Sequence, residues 1–295
     1  MSGWYMRVSD IEEMVGRTSK LSGGTEYMEL LEQIEDYWTD RAEGYSQVNQ
    51  EELAGDNRTN WRRELESHFP ENRTNETYKI LDIGTGPGFF SIILAEAGYS
   101  VMAVDYTEAM LEEAKKNAGA LAKKITYRQM DAQHLDFADE TFDAVVSRNL
   151  TWNLEDPAQA YKEWMRVLKK GGVLLNYDAN WYHHLFDEEK RKEYEEDRKR
   201  VENLHMDDHY TCTDIDAMED IARQIPMSRI MRPAWDVQVL RDRLGNEVKA
   251  DEKVWERVWD STEKANYGST PMFLISAVKM GGTKAICPDK EGYTS

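Results

Sequence analysis

The stretch ILDIGTGPGFFS, residues 80–91, decides the fold. Gly84, Gly86 and Gly88 recur at every second position between two apolar runs. A strand, a glycine turn and a helix start form a site for a ligand that contacts the backbone. The spacing differs from the G-x-G-x-x-G of dinucleotide folds, and the carboxylate of Asp82 favours a cationic ligand over a pyrophosphate. A tight turn in another α/β protein would also fit the glycines alone.

Apolar strands alternate with amphipathic helices from residue 78 to about residue 180. Helices begin after Thr107 and at Asp156, which are suitable capping residues. This alternation predicts a parallel sheet with helices on both faces. The predicted strands are Tyr78–Ile83, Ser100–Asp105, Ile125–Met130, Ala144–Ser147 and Val173–Tyr177, followed by NEVKAD (246–251) and PMFLISAVKM (271–280).

The flanking regions differ from this core in pattern. Residues 1–75 are polar and helical, and one helical face carries Leu30, Leu31, Ile34, Tyr37 and Trp38. Charged residues dominate the segment 187–203, which predicts a helix with a solvated face. A further helix is expected between Pro233 and Gly245. Residues 281–295 have the composition of a tail.

Composition limits the classes of function. The chain has 295 residues and a formal net charge of −19, which opposes binding to nucleic acid. No apolar run is long enough to cross a membrane, and the N-terminus does not have the pattern of a secretory signal. The two cysteines, Cys212 and Cys287, lie far apart, as expected for reduced thiols in a cytoplasm. We therefore expect a cytoplasmic protein with no membrane or nucleic-acid partner.

Carboxylates follow successive strands of the predicted sheet. Asp105 ends the second strand, where an acidic group can accept both hydroxyls of a ribose. Asp131 follows the third strand, and its carboxylate can accept a hydrogen bond from the amino group of an adenine. The small Ala132 beside it leaves room for the adenine ring. Each acid alone could be a loop cap, but their joint placement indicates a nucleoside site.

In these motifs the chain resembles the class I S-adenosylmethionine-dependent methyltransferases, of the type that acts on small molecules. The resemblance covers residues 78–178 and lies in ILDIGTGPGFFSIILAEAG, VMAVDYTEAMLEEAKKNA, ITYRQMDAQHLDFADETFDAVVSRN and DPAQAYKEWMRVLKKGGVLLNYD. PMFLISAVK is similar to the family's antiparallel last strand. YWTDRAEGY, residues 37–45, is similar to the helix that closes over the cofactor.

The resemblance implies an α/β, Rossmann-like, seven-stranded and mostly parallel sheet with a helical N-terminal lid. It also implies S-adenosylmethionine as cofactor. It places Gly84, Thr85 and Gly86 beside the methionine part. Asp82 at the strand end, which favours a cation, completes the predicted cofactor site on this side. Asp105 would bind the ribose, and Asp131 with Ala132 the adenine. The remaining implied cofactor residues are Tyr106, Met110, Arg148 and Asn149, with Tyr37 and Tyr45 of the lid.

The sequence limits the possible methyl acceptors only by excluding methyltransferase classes whose motifs are missing. RNLTW follows the fourth strand in place of the [DN]-P-P-[YFW] of amino-group DNA or glutamine methyltransferases. No cysteine lies there, which argues against C5-pyrimidine chemistry, and two cysteines cannot form a three-thiol arsenite site. The prediction is a small-molecule methyltransferase acting on an N, O, S or C atom. Alternatives are a nicotinamide-dependent oxidoreductase and a noncatalytic cofactor-binding or interaction protein of the same fold.

A cap at about residues 180–232, within a methyltransferase domain of residues 76–280, is the predicted acceptor site. Trp152, Trp181 and Tyr182 border the expected crevice and could wall an apolar or cationic acceptor, with ordinary core packing as the alternative. His183 and His184 are candidates for both acceptor binding and catalysis, and Tyr177 and Asp178 are further catalytic candidates. The cap histidines with nearby Asp207, Asp208 and Cys212 match no defined metal pattern, so no metal is expected. The oligomeric state stays open, with a homodimer as one option.

Overall fold

A seven-stranded sheet forms the centre of the computed structural model, which describes residues 29–71, 73–206, 208 and 214–281. The strand order is β3-β2-β1-β4-β5-β7-β6. β7 is antiparallel to β5 and β6, and the other neighbouring pairs are parallel. The predicted Rossmann-like sheet with an antiparallel last strand is therefore confirmed. The strands are β1 (Lys79–Ile83), β2 (Ser100–Asp105), β3 (Ile125–Gln129), β4 (Phe142–Arg148), β5 (Leu168–Asp178), β6 (Glu247–Asp251) and β7 (Phe273–Val278).

Helices surround the sheet in the described part of the chain. They are α1 (Leu30–Ala54), α2 (Asn57–Ser67), α3 (Phe89–Glu96), α4 (Glu108–Ala118), α5 (Pro157–Val167), α6 (Glu188–Leu204), α7 (Ile215–Ala222), α8 (Ala234–Gln238), α9 (Trp255–Val258) and α10 (Ser261–Asn266). The charged α6 begins at Asp187, whose carboxylate accepts from the backbone N–H groups of Glu189 and Lys190. None of the described helices is both long and apolar enough to cross a membrane.

The sheet separates two hydrophobic cores. Consecutive residues of β1 belong to different cores, Ile80 to one and Leu81 to the other, because neighbouring side chains of a strand point to opposite faces. The core on the Leu81 face includes Ile34 of α1, and the core on the Ile80 face includes Trp61 of α2. Helices therefore cover both faces, as predicted, and the helical N-terminal region packs directly on the sheet.

The order of the strands locates a crevice. β2 and β3 lie on one side of β1, whereas β4 and β5 lie on the other. The chain connections therefore diverge between β1 and β4, and a crevice opens at the carboxyl ends of these strands. Residues 282–295 of the predicted tail and residues 1–28 of the predicted lid region lie outside the described residues.

Candidate active site

A cavity of about 240 Å³ lies at the carboxyl ends of β1 to β4, and α1 forms one of its walls. The structure brings together in its lining every residue that the resemblance assigned to the cofactor. These are Tyr37, Tyr45, Asp82, Gly84, Thr85, Gly86, Asp105, Tyr106, Met110, Asp131, Ala132, Arg148 and Asn149. Their individual roles stay predictions, but one site can hold them all.

The glycine turn between β1 and α3 is shaped by the chain itself. Gly84 has φ +65°, and a Cβ there would lie 2.8 Å from Leu150 Cδ2. Gly88 has φ +97°, and its Cβ would lie 3.1 Å from the Cβ of Ala114 on α4. Both positions therefore require glycine for backbone conformation and packing. Gly86 also has a positive φ, +52°, but a Cβ there would lie 3.6 Å from Tyr45 Cε1, an ordinary contact. Its N–H donates to Asp105 Oδ2 at 2.9 Å.

Asp82 lies buried at the end of β1. Its Oδ2 accepts a hydrogen bond from Thr85 Oγ1 at 2.6 Å, which ties the strand to the turn. Burial raises the pKa of Asp82 to about 7. A cation beside this buried carboxylate would favour its ionised form. This agrees with the prediction from the sequence that Asp82 favours a cationic ligand.

Asp105 closes the turn from the neighbouring strand. Its two oxygens accept from the backbone N–H groups of Gly86 at 2.9 Å and Thr107 at 3.0 Å. Burial raises the pKa of this carboxyl to about 6. Each carboxylate oxygen has a second lone-pair site, so Asp105 can still accept two hydroxyl groups.

The loop after β3 is held in place by its own hydrogen bonds. Asp131 Oδ1 accepts from the backbone N–H of Gln133 at 2.8 Å, and its Oδ2 lies 2.9 Å from His134 Nδ1. The carbonyl of Ala132 accepts from Trp164 Nε1 at 2.9 Å. These contacts fix the predicted adenine wall against α5.

A buried ion pair joins α1 to the end of β4. The guanidinium of Arg148 donates to both carboxylate oxygens of Glu52, at 2.9 and 2.8 Å. The same guanidinium lies 4.6 Å from the ring centroid of Phe89. Sequence reasoning missed this pair, because its partners are separated by 96 residues and no local spacing connects them.

Aromatic residues of the predicted acceptor site line the same cavity. Trp152 and Trp181 are both in its lining, and Tyr182 joins them. The ring centroids of Trp152 and Tyr182 lie 5.2 Å apart. Trp152 is held by two hydrogen bonds, from its backbone N–H to Asp178 Oδ2 and from its indole N–H to the carbonyl of Asn149, both at 2.9 Å.

The cap histidines do not reach this cavity, which corrects their expected position. His183 Nδ1 lies 3.0 Å from the carbonyl oxygen of Ser228, and His184 stacks on Tyr194 with ring centroids 4.2 Å apart. Both line a second cavity of about 190 Å³. Burial lowers the pKa of His184 to about 4. Each imidazole ring is engaged in packing, so their proposed roles at the acceptor have no support in their position.

The other two catalytic candidates are also absent from the lining. Tyr177 is fully buried, with its ring centroid 5.0 Å from that of Trp61. Asp178 is fully buried and accepts from Arg232 Nη1 at 2.5 Å, while Arg232 also pairs with Asp236. Asp178 therefore supports Trp152 from behind. The pairing of Arg232 with Asp178 was not predicted, since the two residues are 54 positions apart in sequence.

Part of the predicted metal alternative lies outside the described residues, namely Asp207, His209 and Cys212. Within residues 29–71, 73–206, 208 and 214–281, no group of three His, Cys, Asp or Glu side chains is arranged to hold a metal ion. His205, another cap histidine, ends α6 in the left-handed conformation.

The hydrogen-bonding groups that line the first cavity fit S-adenosylmethionine. Carboxylates of Asp105 and Asp131 suit the ribose and adenine, which both donate hydrogen bonds. Among the described residues, the buried amide oxygens of Asn49 and Asn149 lack a hydrogen-bond donor, and both line the cavity. Such oxygens can accept from an ammonium group.

Comparisons with known proteins agree with this geometry. The family described as Methyltransferase domain matches residues 81–176. The phosphatidylethanolamine N-methyltransferase of Cereibacter sphaeroides is 31% identical over 157 residues, covering 51% of this chain and 74% of that protein. The ubiquinone/menaquinone biosynthesis C-methyltransferase UbiE of Haemophilus ducreyi is 42% identical over 104 residues, covering 33% of this chain and 39% of that protein. The chain thus spans well under two thirds of the length of UbiE.

A solved structure from Methanococcus maripaludis, described as an S-adenosyl-L-methionine-dependent methyltransferase, has a TM-score of 0.54 and 20% identity. The match covers 89% of this chain and 99% of that one, and it shows the shared fold. Fold, cavity and sequence relationship agree, and the chain belongs to the class I S-adenosylmethionine-dependent methyltransferase family.

Proposed function

We propose that the chain transfers a methyl group to a small molecule that is held by the aromatic part of the cavity. The observation that carries this proposal is a single cavity of about 240 Å³ lined both by Asp82, Asp105 and Asp131 and by Trp152 and Trp181. In this proposal one continuous cavity holds both the cofactor and the acceptor, as a direct transfer requires.

In this proposal some residues of the cavity bind the cofactor and others bind the acceptor. Asp105 would accept the ribose hydroxyls, Asp131 the adenine amino group, and the asparagine oxygens the amino group of the methionine part. Bound S-adenosylmethionine supplies a methyl group already activated on a sulfonium. Trp152, Trp181 and the α1 wall would exclude water and orient the acceptor, which can supply much of the rate enhancement.

The residues that line the cavity indicate which side chains are available as a general base for the acceptor. Among the described residues, the cavity is lined by no histidine, lysine or cysteine. Its carboxylates Asp82 and Asp105 are already engaged with the turn. The proposed reaction therefore uses no histidine, lysine or cysteine of the described lining as a base. One relative is named as an N-methyltransferase and another as a C-methyltransferase. Their names therefore do not indicate whether the acceptor atom is nitrogen or carbon.

Calorimetry with S-adenosylhomocysteine tests the cofactor half. Asp105→Ala should weaken binding about 10- to 100-fold, because it removes an acceptor of charge-assisted hydrogen bonds. Asp136→Ala is a matched control, since Asp136 is exposed and absent from the lining. A folded protein that does not bind the ligand, or equal affinity in Asp105→Ala, would contradict the proposal.

The acceptor half requires a transfer assay. Incubation with a metabolite extract and a cofactor carrying a deuterated methyl group should produce a labelled small molecule, detected by mass spectrometry. Binding of the cofactor with no labelled product from any extract would favour the noncatalytic alternative.

A further inference from the structure

Four aromatic residues from separate segments line the cavity. Trp38 comes from α1, Trp152 from the β4–α5 connection, and Trp181 and Tyr182 from the β5–α6 connection. We call these four residues the aromatic wall. Their ring faces carry negative potential, which attracts an ammonium group within about 6 Å. The same rings can also bind a neutral apolar molecule, by burying its surface. The charges near the rings must therefore decide whether the acceptor is cationic or neutral.

Acidic groups outnumber basic groups in the lining. The lining contains four carboxylates and two guanidiniums, and one of the guanidiniums, on Arg148, is paired with Glu52. The proposed contacts with the cofactor account for the carboxylates at the strand ends. They do not account for Glu155, which follows Trp152 in the same connection. The pKa of Glu155 is raised by burial and by the nearby carboxylates of Glu29 and Asp131.

The negative potential extends along the cavity. The pKa of the Tyr106 hydroxyl is raised by burial and then by the carboxylates of Glu35, Asp131, Glu32 and Glu155. The whole chain carries a net charge of −19. Such a field concentrates cations at the cavity and repels anions. An acceptor carrying a phosphate or carboxylate would need basic groups to pair with. Among the described residues, the basic side chains of the lining are Arg41 and Arg148, and Arg148 is already paired with Glu52.

A buried polar atom adds a directional contact. Asn153, next to Trp152, lines the cavity, and its Oδ1 is buried without a hydrogen-bond donor among the described residues. A buried amide oxygen of this kind is costly unless a ligand donates to it. The N–H groups of an amine are suitable donors.

From the aromatic wall, the acidic lining and Asn153, we propose that the methyl acceptor is an amine. This inference rests on the proposed function and names its acceptor class. An ammonium is attracted to the cavity and loses one proton to water before reaction. The nitrogen lone pair then forms the N–C bond, while the electrons of the S–C bond pass to sulfur. The positive charge moves to nitrogen, where the aromatic wall stabilises it.

The test compares a cation with its uncharged carbon isostere. Choline and 3,3-dimethylbutan-1-ol have the same shape and differ in the charge of the quaternary centre. Each is titrated into the full chain that has been saturated with S-adenosylhomocysteine. We expect choline to bind about tenfold more tightly. Trp181→Leu should abolish this preference, whereas Trp255→Leu, outside the lining, should keep it.

Ethanolamine tests the directional contact, because its ammonium carries N–H groups and that of choline does not. Asn153→Leu should weaken ethanolamine binding more than choline binding. Equal affinities for choline and its isostere, tighter binding of the isostere, or no binding of either at millimolar concentration would overturn the amine assignment. A folded protein that does not bind S-adenosylhomocysteine would instead overturn the proposed function, and this inference with it.

Discussion

At the scale of residues, the carboxylates of the turn make cofactor binding depend on pH. Burial raises the pKa of Asp82 to about 7 and that of Asp105 to about 6. Binding to a cation or to ribose hydroxyls favours the ionised form, so binding lowers these pKa values and releases protons. Affinity for S-adenosylmethionine should therefore rise with pH and level off above the free-protein pKa values. One pH unit below a pKa, only about a tenth of a carboxyl is ionised, so each group costs about tenfold.

Calorimetry between pH 5 and pH 8 would measure this rise. Asp105→Asn should bind more weakly and lose the part of the pH dependence that belongs to this carboxyl. Affinity that stays constant over the range in the wild-type protein would show that neither carboxyl titrates on binding.

The sequence predicted the cavity's carboxylates but misplaced the cap histidines. Asp105 and Asp131 were predictable because strand ends of a parallel sheet converge on one edge. His183 and His184 lie only a few residues beyond β5, yet their rings turn to Ser228 and Tyr194. Side-chain direction in an irregular segment depends on distant packing partners, which no local pattern specifies.

At the scale of elements, α1 is held to the site by the pair between Glu52 and Arg148. Both side chains are nearly buried, and losing one partner of a buried pair typically costs about 3–5 kcal/mol. Glu52→Gln should therefore loosen α1 and speed hydrogen exchange over residues 37–45. Cofactor binding should slow exchange there in the wild-type protein, because Tyr37 and Tyr45 line the cavity.

The neighbouring Glu51→Gln is a matched control, because Glu51 is exposed and lies on the same helix. Equal exchange in the presence and absence of cofactor would make α1 a static wall. Equal exchange in Glu52→Gln and Glu51→Gln would mean that the buried pair does not hold the helix.

The elements themselves were largely predictable, and their contacts were not. The seven strands and the helix with the face of Ile34 and Trp38 follow from apolar periodicity, which is a local property. That this helix pairs with the end of β4 follows from Glu52 and Arg148, whose separation in sequence hides the relationship.

At the scale of the whole molecule, the cap shares a core with the sheet. Met218 and Ile221 of α7 and Met227 belong to the same hydrophobic core as Leu81 of β1 and Leu174 of β5. Among the described residues of the predicted cap, only Trp181, Tyr182 and Met218 line the first cavity. The cap is thus a wall built on the sheet's own core and not a separate unit.

This shared core predicts a single unfolding transition for sheet and cap. Ile221→Ala should lower the free energy of unfolding by about 2–5 kcal/mol, since it empties buried space in the common core. It should move the whole transition to a lower temperature, because neither part can keep its core without the other. Leu204→Ala is the control within the cap, as Leu204 is 57% exposed and should change stability by less than about 0.5 kcal/mol. Differential scanning calorimetry measures both, and an early cap transition separated from that of the sheet in Ile221→Ala would show that the cap folds independently.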